Sequence, residues 1–129
     1  MFATANLTLL ALGWGIIATW WVGLPLGLLL AVSARAGRRP RLAPRQLVRP
    51  LASTMLTVAG IAAAVGFAGY FATRGLVLPD PAFDRLPEQR HGLLATCWLI
   101  HNASYRGGAI AGVALSISTW RRRGRTPAV

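Results

Sequence analysis

Three long apolar segments account for most of the chain. No charged residue occurs from Phe2 to Ala34, a run of 33 residues, or from Pro50 to Thr73, a run of 24 residues. A third apolar segment runs from Gly92 to Trp120 and is interrupted by one charged residue, Arg106. About 20 apolar residues of helix cross a hydrocarbon core of about 30 Å. The pattern therefore predicts an all-α integral membrane protein with three transmembrane helices, over residues 8–33, 51–73 and 92–120.

The segments that join these spans differ in charge, which predicts an orientation. Residues 35–49 hold six arginines and no acid, and the C-terminal tail holds four more arginines. The second connection, residues 74–91, contains several prolines and balances three arginines with three acids. Because arginine is retained on the cytoplasmic side of a membrane, the N-terminus and the short Pro-rich loop are predicted outside. The Arg-rich loop and the C-terminus are predicted inside.

Composition agrees with a membrane protein and argues against other classes. Hydrophobic residues make up 54% of the 129 residues, and the net charge is +11. Topology explains the arginine excess, so no nucleic-acid partner is predicted. The length allows one three-helix unit over residues 1–129. A cleavable signal peptide over the first span is the weaker alternative, because the N-terminus lacks a basic residue and the apolar run is long.

Several arginines of the first loop are predicted to lie at the membrane surface, where basic side chains attract anionic lipid headgroups. These residues are Arg35, Arg38, Arg39 and Arg41. In the second loop, Asp84 is a candidate N-cap of the third helix, with Pro87 and Glu88 in its first turn. His91 is predicted to be exposed at headgroup level.

Small residues recur at intervals of four in the apolar segments. Such residues let membrane helices approach closely, within one chain or between copies. The predicted packing positions are Gly23 and Gly27 in the first span, and Ser104, Gly108 and Gly112 in the third.

A tryptophan pair lies near the middle of the first apolar run. Trp20 and Trp21 precede Pro25, which predicts a kink and an indole turned toward a partner helix or ligand. The alternative is a first span that starts late, which would place Trp20 in the outer half of the membrane.

A polar cluster in the third apolar segment contains His101, Asn102, Tyr105 and Arg106. At about 100° per residue, His101 and Tyr105 share a face with the glycine positions, and Arg106 lies about 140° away. The His101 face is predicted to pack against a helix. Arg106 should have a partner, because a central arginine is costly in a membrane. These four residues, with Trp20 and Trp21, are the predicted contacts to partners or ligands.

The sequence offers no arrangement typical of an enzyme or a metal site. The predicted spans contain no acid that could orient His101 as a catalytic base toward Ser104. His91 and His101 are ten residues apart, about 15 Å along one helix, so they cannot share a metal or haem. No catalytic residue, metal or cofactor is therefore predicted.

Several stretches resemble a family of small bacterial inner-membrane proteins that has no assigned activity. They are "TWWVGLPLGLLLAVSARAG", "RPRL", "LVRPL" and "RHGLLATCWLIHNASYRGG", which together cover most of the chain. The resemblance implies a multi-pass protein of the bacterial plasma membrane. It also draws attention to the recurring positions Trp20, Trp21, His91, His101, Ser104 and Tyr105.

The sequence thus favours a non-enzymatic accessory or scaffold subunit that packs with other membrane subunits or with itself. One alternative is an oligomeric permeation unit for anions or small molecules, lined by the polar cluster of the third span. Another is a haem or pigment binder that uses His101 from two chains.

Overall fold

A computed structural model describes residues 6–75, residue 87 and residues 90–125. It contains three α-helices, which we number α1 (Leu7–Arg35), α2 (Pro44–Ala72) and α3 (His91–Arg125). The described ranges contain no strand, so the prediction of an all-α chain is confirmed. Residues 1–42 and 112–129 form one compact unit, and residues 43–111 form a second.

The two first helices have the length and composition of membrane spans. α1 from Thr8 to Arg35 and α2 from Pro44 to Ala72 are both long and apolar enough to cross a bilayer. Asn6 caps the start of α1, where its Oδ1 accepts from Thr8 N at 3.0 Å. Pro25 lies inside α1, which the structure assigns as one helix.

Both ends of the Arg-rich stretch, residues 35–49, belong to helices, which the sequence did not predict. α2 begins at Pro44, seven residues before the predicted span, and Arg35 ends α1. Proline is favoured at the first helical position because its missing N–H needs no partner there. The Gln46 side chain also accepts from Ala43 N at 2.8 Å, which satisfies a donor at the helix start. The non-helical connection is therefore residues 36–43.

In the second unit, glycines let α2 and α3 approach closely. A Cβ added to Gly66 would lie 2.7 Å from two side-chain atoms of Ile100, and one on Gly69 would lie 3.0 Å from Leu99 Cδ1. Ala62, Gly66, Gly69 and Thr73 are buried along this face of α2.

The Thr73 hydroxyl joins the end of α2 to the start of α3. It hydrogen-bonds Gly92 O at 2.8 Å and Thr96 Oγ1 at 2.9 Å. A Cβ on Gly92 would collide with the carbonyl oxygen of Thr73, so only glycine permits this approach.

The start of α3 differs from the prediction in one respect. His91 is 4% exposed rather than exposed, because the close approach of Gly92 to Thr73 draws the first turn of α3 against the end of α2. Arg90 N donates to Pro87 O at 2.8 Å just before the helix. The predicted roles of Asp84 and Glu88 lie outside the described residues.

The packing of α2 predicts opposite effects of alanine at two of its glycines. Gly66→Ala should lower the free energy of unfolding by about 1 kcal/mol, because Ile100 must move to admit the methyl group. Gly60→Ala is the matched control, since a Cβ there meets nothing within 4 Å. It should raise stability by up to about 1 kcal/mol through helix propensity. Thermal unfolding in detergent measures both variants, and equal shifts would contradict the described α2–α3 packing.

Candidate functional site

The predicted polar cluster lies in the second unit, on α3. The rings of His101 and Tyr105 lie 4.4 Å apart between centroids and are tilted by 37°. Asn102 Nδ2 donates to Trp98 O at 2.9 Å, one turn earlier in the same helix. His101 and Arg106 are exposed, whereas Asn102 and Tyr105 are half-buried. These contacts are local, and each is of the kind that one helix makes with its own side chains.

The cluster borders an open apolar concavity of about 660 Å³. It is lined by Thr73, Leu94, Ala95, Cys97, Trp98, Leu99 and His101. The thiol of Cys97 is exposed. Across residues 6–75, 87 and 90–125, no three His, Cys, Asp or Glu side chains gather as a metal site would require.

The helix face that contains His101 divides into two parts. Within the second unit, α3 turns Thr96 and Leu99 toward α2, and the His101 side of the helix points away from them. Farther along the same face, Ser116, Thr119 and Arg123 are buried in the first unit, with exposed fractions of 1%, 4% and 1%. Among the described residues, the C-terminal part of the predicted packing face is therefore buried, whereas His101 in its N-terminal part is exposed.

The predicted packing glycines divide in the same way. A Cβ on Gly112 would lie 3.0 Å from both methyl carbons of Leu26, so α3 packs on α1 there. A Cβ on Gly23, Gly27 or Gly108 would meet nothing within 4 Å. Ser104 is half-buried.

Trp20 and Trp21 also lie on the surface of the chain. Their exposed fractions are 60% and 58%. A contact of Trp20, Gly23, Gly27 or Gly108 with another molecule is a prediction.

Arg123 forms the most highly connected polar contact in the described chain. Its guanidinium donates to four backbone carbonyls: Nε to Pro40 O at 2.8 Å, Nη1 to Ser33 O at 2.7 Å, and Nη2 to Ala36 O and Arg39 O at 2.9 and 2.8 Å. Arg123 is 1% exposed, so four of its five N–H donors are fixed inside the protein. We call this group the carbonyl cage.

The carbonyl cage completes the C-terminal end of α1. The last four carbonyls of a helix lack partners in its regular hydrogen-bond pattern, and here three of them have donors. Val32 O accepts from Ala36 N at 2.8 Å, Ala34 O accepts from Leu42 N at 3.1 Å, and Ser33 O accepts from Arg123. The guanidinium charge also lies at the negative end of the helix dipole. This stabilises a buried cation although the described residues include no acid.

A second arginine, Arg39, belongs to the connection and donates to α3, whereas Arg123 belongs to α3 and donates to the connection. Arg39 Nη1 donates to Trp120 O at 2.8 Å, and its guanidinium carbon lies 4.6 Å from the centre of the Trp120 ring. The guanidinium of Arg123 lies 5.5 Å from the same ring. Gly37, with φ of +78°, turns the connection beside this indole, where a Cβ added to the glycine would lie 3.6 Å from Trp120 Cη2. Arg39 and Arg123 thus hold the connection and the end of α3 together.

Other arginines of the first unit remain on its surface. Arg35, Arg38, Arg41 and Arg121 are all exposed. Arg39 is exposed as well, so the four predicted headgroup residues differ only in that Arg39 also contacts Trp120.

Sequence reasoning missed the carbonyl cage because Arg123 belongs to a run of similar residues, "RRRGR". The available signal was its spacing from Gly112, Ser116 and Thr119, which places Arg123 on the same small-residue face. Comparison with family models, curated proteins and solved structures finds no match to this chain. Its function is therefore argued from the geometry.

Proposed function

We propose that this chain is a non-enzymatic accessory or scaffold subunit of the bacterial inner membrane. It crosses the bilayer three times and packs against other membrane subunits or copies of itself. The polar cluster at His101, Asn102, Tyr105 and Arg106, together with Trp20 and Trp21, faces those partners.

The observation that carries this proposal is the apolar surface of the helices. Among the described residues, Ala34 and Ala62 are the buried apolar side chains, whereas large residues along α1 and α2 are exposed. Trp14, Leu24, Leu28 and Leu56 are each more than half exposed. An apolar surface of this extent is rare in water and is favourable in contact with lipid or with other membrane helices.

Contacts at both ends of α3 support a third span. At its start, Gly92 and Thr96 contact Thr73 at the end of α2. Near its end, Arg123 binds carbonyls in the connection that leads into α2. If α2 crosses the bilayer, α3 begins on the side where α2 ends and finishes on the side where α2 begins. Its 35 residues measure about 52 Å at 1.5 Å per residue, which suffices for a crossing.

The proposed orientation follows from the positive-inside rule. The carbonyl cage places the connection and the C-terminal end of α3 together in one arginine-rich unit, which supports a shared cytoplasmic location. The N-terminus then lies outside.

The test of this function is mild extraction of the full chain from its native membrane, followed by native mass spectrometry and an absorption spectrum. We expect other subunits or further copies at fixed stoichiometry. Recovery of a partner-free homo-oligomer that conducts anions in liposomes would instead establish the permeation alternative. A visible absorption band from the purified chain would favour the haem or pigment alternative.

Substitution of Arg106 tests the partner-facing role of the polar cluster. We expect Arg106→Ala to reduce the amount of co-purifying partner or oligomer by about ten-fold. Removal of one member of a charge pair that is buried in an interface weakens association by at least this factor. Arg106→Lys, which keeps the charge, should lose less. Unchanged assembly in Arg106→Ala would show that this arginine does not contribute to the interface.

A further inference from the structure

The starting observation is that the arginines of the first unit are not equivalent. Arg123 is buried and binds four carbonyls, and Arg39 binds Trp120 O and its ring. Four donors of the buried Arg123 are thus bound within the protein, whereas Arg39 is exposed and donates one hydrogen bond there. Arg35, Arg38 and Arg41 are exposed, like Arg39, but do not share its contact with Trp120.

The carbonyl cage joins the chain segments to which the exposed arginines belong. Three of its four carbonyls belong to residues 36–40 of the connection, and the fourth belongs to Ser33 at the end of α1. Because Arg123 comes from the end of α3, these bonds join the end of α3 to the connection. Arg121 lies two residues before Arg123 in the sequence, and its side chain is exposed. The bond from Arg39 to Trp120 O joins the same two segments.

The resulting surface has one sign of charge. The described residues contain no Asp or Glu, so no carboxylate in this part of the chain neutralises Arg35, Arg38, Arg41 or Arg121. Guanidinium groups bind phosphate oxygens through paired N–H donors. The surface also lies at the ends of α1 and α2, the two helices long and apolar enough to cross a bilayer. Phospholipid phosphates are the anions found at that level of a membrane.

We infer that Arg123 is a positioning residue that assembles Arg35, Arg38, Arg41 and Arg121 into one surface for the phosphate groups of anionic phospholipids. The inference rests on the proposed membrane location, and it adds a role for Arg121 and Arg123. It also gives Arg39 a part in holding the surface together, through its bond to Trp120 O.

The experiment uses the full chain in detergent, titrated with phosphatidylglycerol or phosphatidylcholine and observed by native mass spectrometry. We expect the wild-type chain to bind phosphatidylglycerol at least about ten-fold more tightly, because each arginine at a membrane surface contributes about five-fold. The double variant Arg38→Gln, Arg41→Gln should weaken phosphatidylglycerol binding by roughly 25-fold. Arg74→Gln is the matched control, since it removes an exposed arginine of the second unit, and it should leave the preference unchanged.

The role of Arg123 is tested by a variant that removes no surface charge. Arg123→Met should reduce the preference for phosphatidylglycerol by about five-fold or more while phosphatidylcholine binding and helix content stay unchanged. Arg123→Lys, which has fewer donors in a different geometry, should show a smaller loss and serves if the methionine variant does not fold. If folded Arg123→Met keeps the wild-type preference for phosphatidylglycerol, the positioning role is overturned. If Arg123→Met does not fold, the same result with Arg123→Lys overturns it.

Other results would overturn the lipid surface itself. These are equal binding of the two lipids by the wild-type chain, an unchanged preference in the double glutamine variant, and displacement of phosphatidylglycerol by equimolar inorganic phosphate. The lipid surface would also be overturned if the double glutamine variant kept its bound lipid and lost an acidic protein subunit instead. Release of wild-type chain from membranes by alkaline carbonate would contradict the proposed function, whereas a retained chain without lipid preference contradicts this inference alone.

Discussion

Replacement of Arg123 by methionine should destabilise the chain more than any other single loss of an arginine. The change keeps a long side chain but leaves four carbonyl oxygens without their donor, and the bond to Ser33 O is fully buried. An unsatisfied buried acceptor costs about 1–3 kcal/mol. The other three bonds are part-buried, so water can replace some of them. We expect the free energy of unfolding to fall by about 3 kcal/mol.

The matched control is Arg121→Met, which removes the same charge from the same turn of α3. Arg121 is exposed, and surface substitutions usually change stability by less than about 0.5 kcal/mol. Thermal unfolding of both variants in detergent, followed by tryptophan fluorescence, compares them directly. Equal stabilities would mean that the carbonyl cage contributes nothing beyond general charge.

Most of the fold could be predicted from the sequence, because the apolar runs that indicate the helices are long. The charge-free runs report on the chain locally, and the all-α class followed from them. Helix ends were less accessible. The predicted spans were limited by charge, whereas a helix continues through arginine, so α2 and α3 extend beyond residues 51 and 120.

The candidate site was less accessible, because it depends on which face of each helix is covered. Spacing by four residues selected Gly112, which packs on Leu26, but it equally selected Gly23 and Gly108, where an added Cβ would meet nothing within 4 Å. Gly66 and Gly69 were missed because they are three residues apart rather than four. The cage was missed for a different reason: its acceptors are backbone carbonyls, and these carry no sequence signal.

The second large effect is expected at the junction of α2 and α3. A methyl group on Gly92 would overlap the carbonyl oxygen of Thr73 and approach its carbonyl carbon to 3.2 Å. Neither atom can move without shifting the end of α2, unlike the flexible Ile100 side chain opposite Gly66. Gly92→Ala should therefore lower the free energy of unfolding by about 3 kcal/mol, and it should also break the hydrogen bonds of Thr73 to Gly92 and Thr96.

Gly108→Ala provides the control in the same helix. A Cβ at Gly108 meets nothing within 4 Å, so in the isolated chain the substitution should stabilise α3 by up to about 1 kcal/mol. The two glycines thus predict opposite signs for one chemical change, measured by thermal unfolding in detergent. Destabilisation by Gly108→Ala only in the assembled complex would locate a partner helix at this glycine. Tolerance of Gly92→Ala would contradict the close approach at the junction, and with it the contact that supports α3 as a third span.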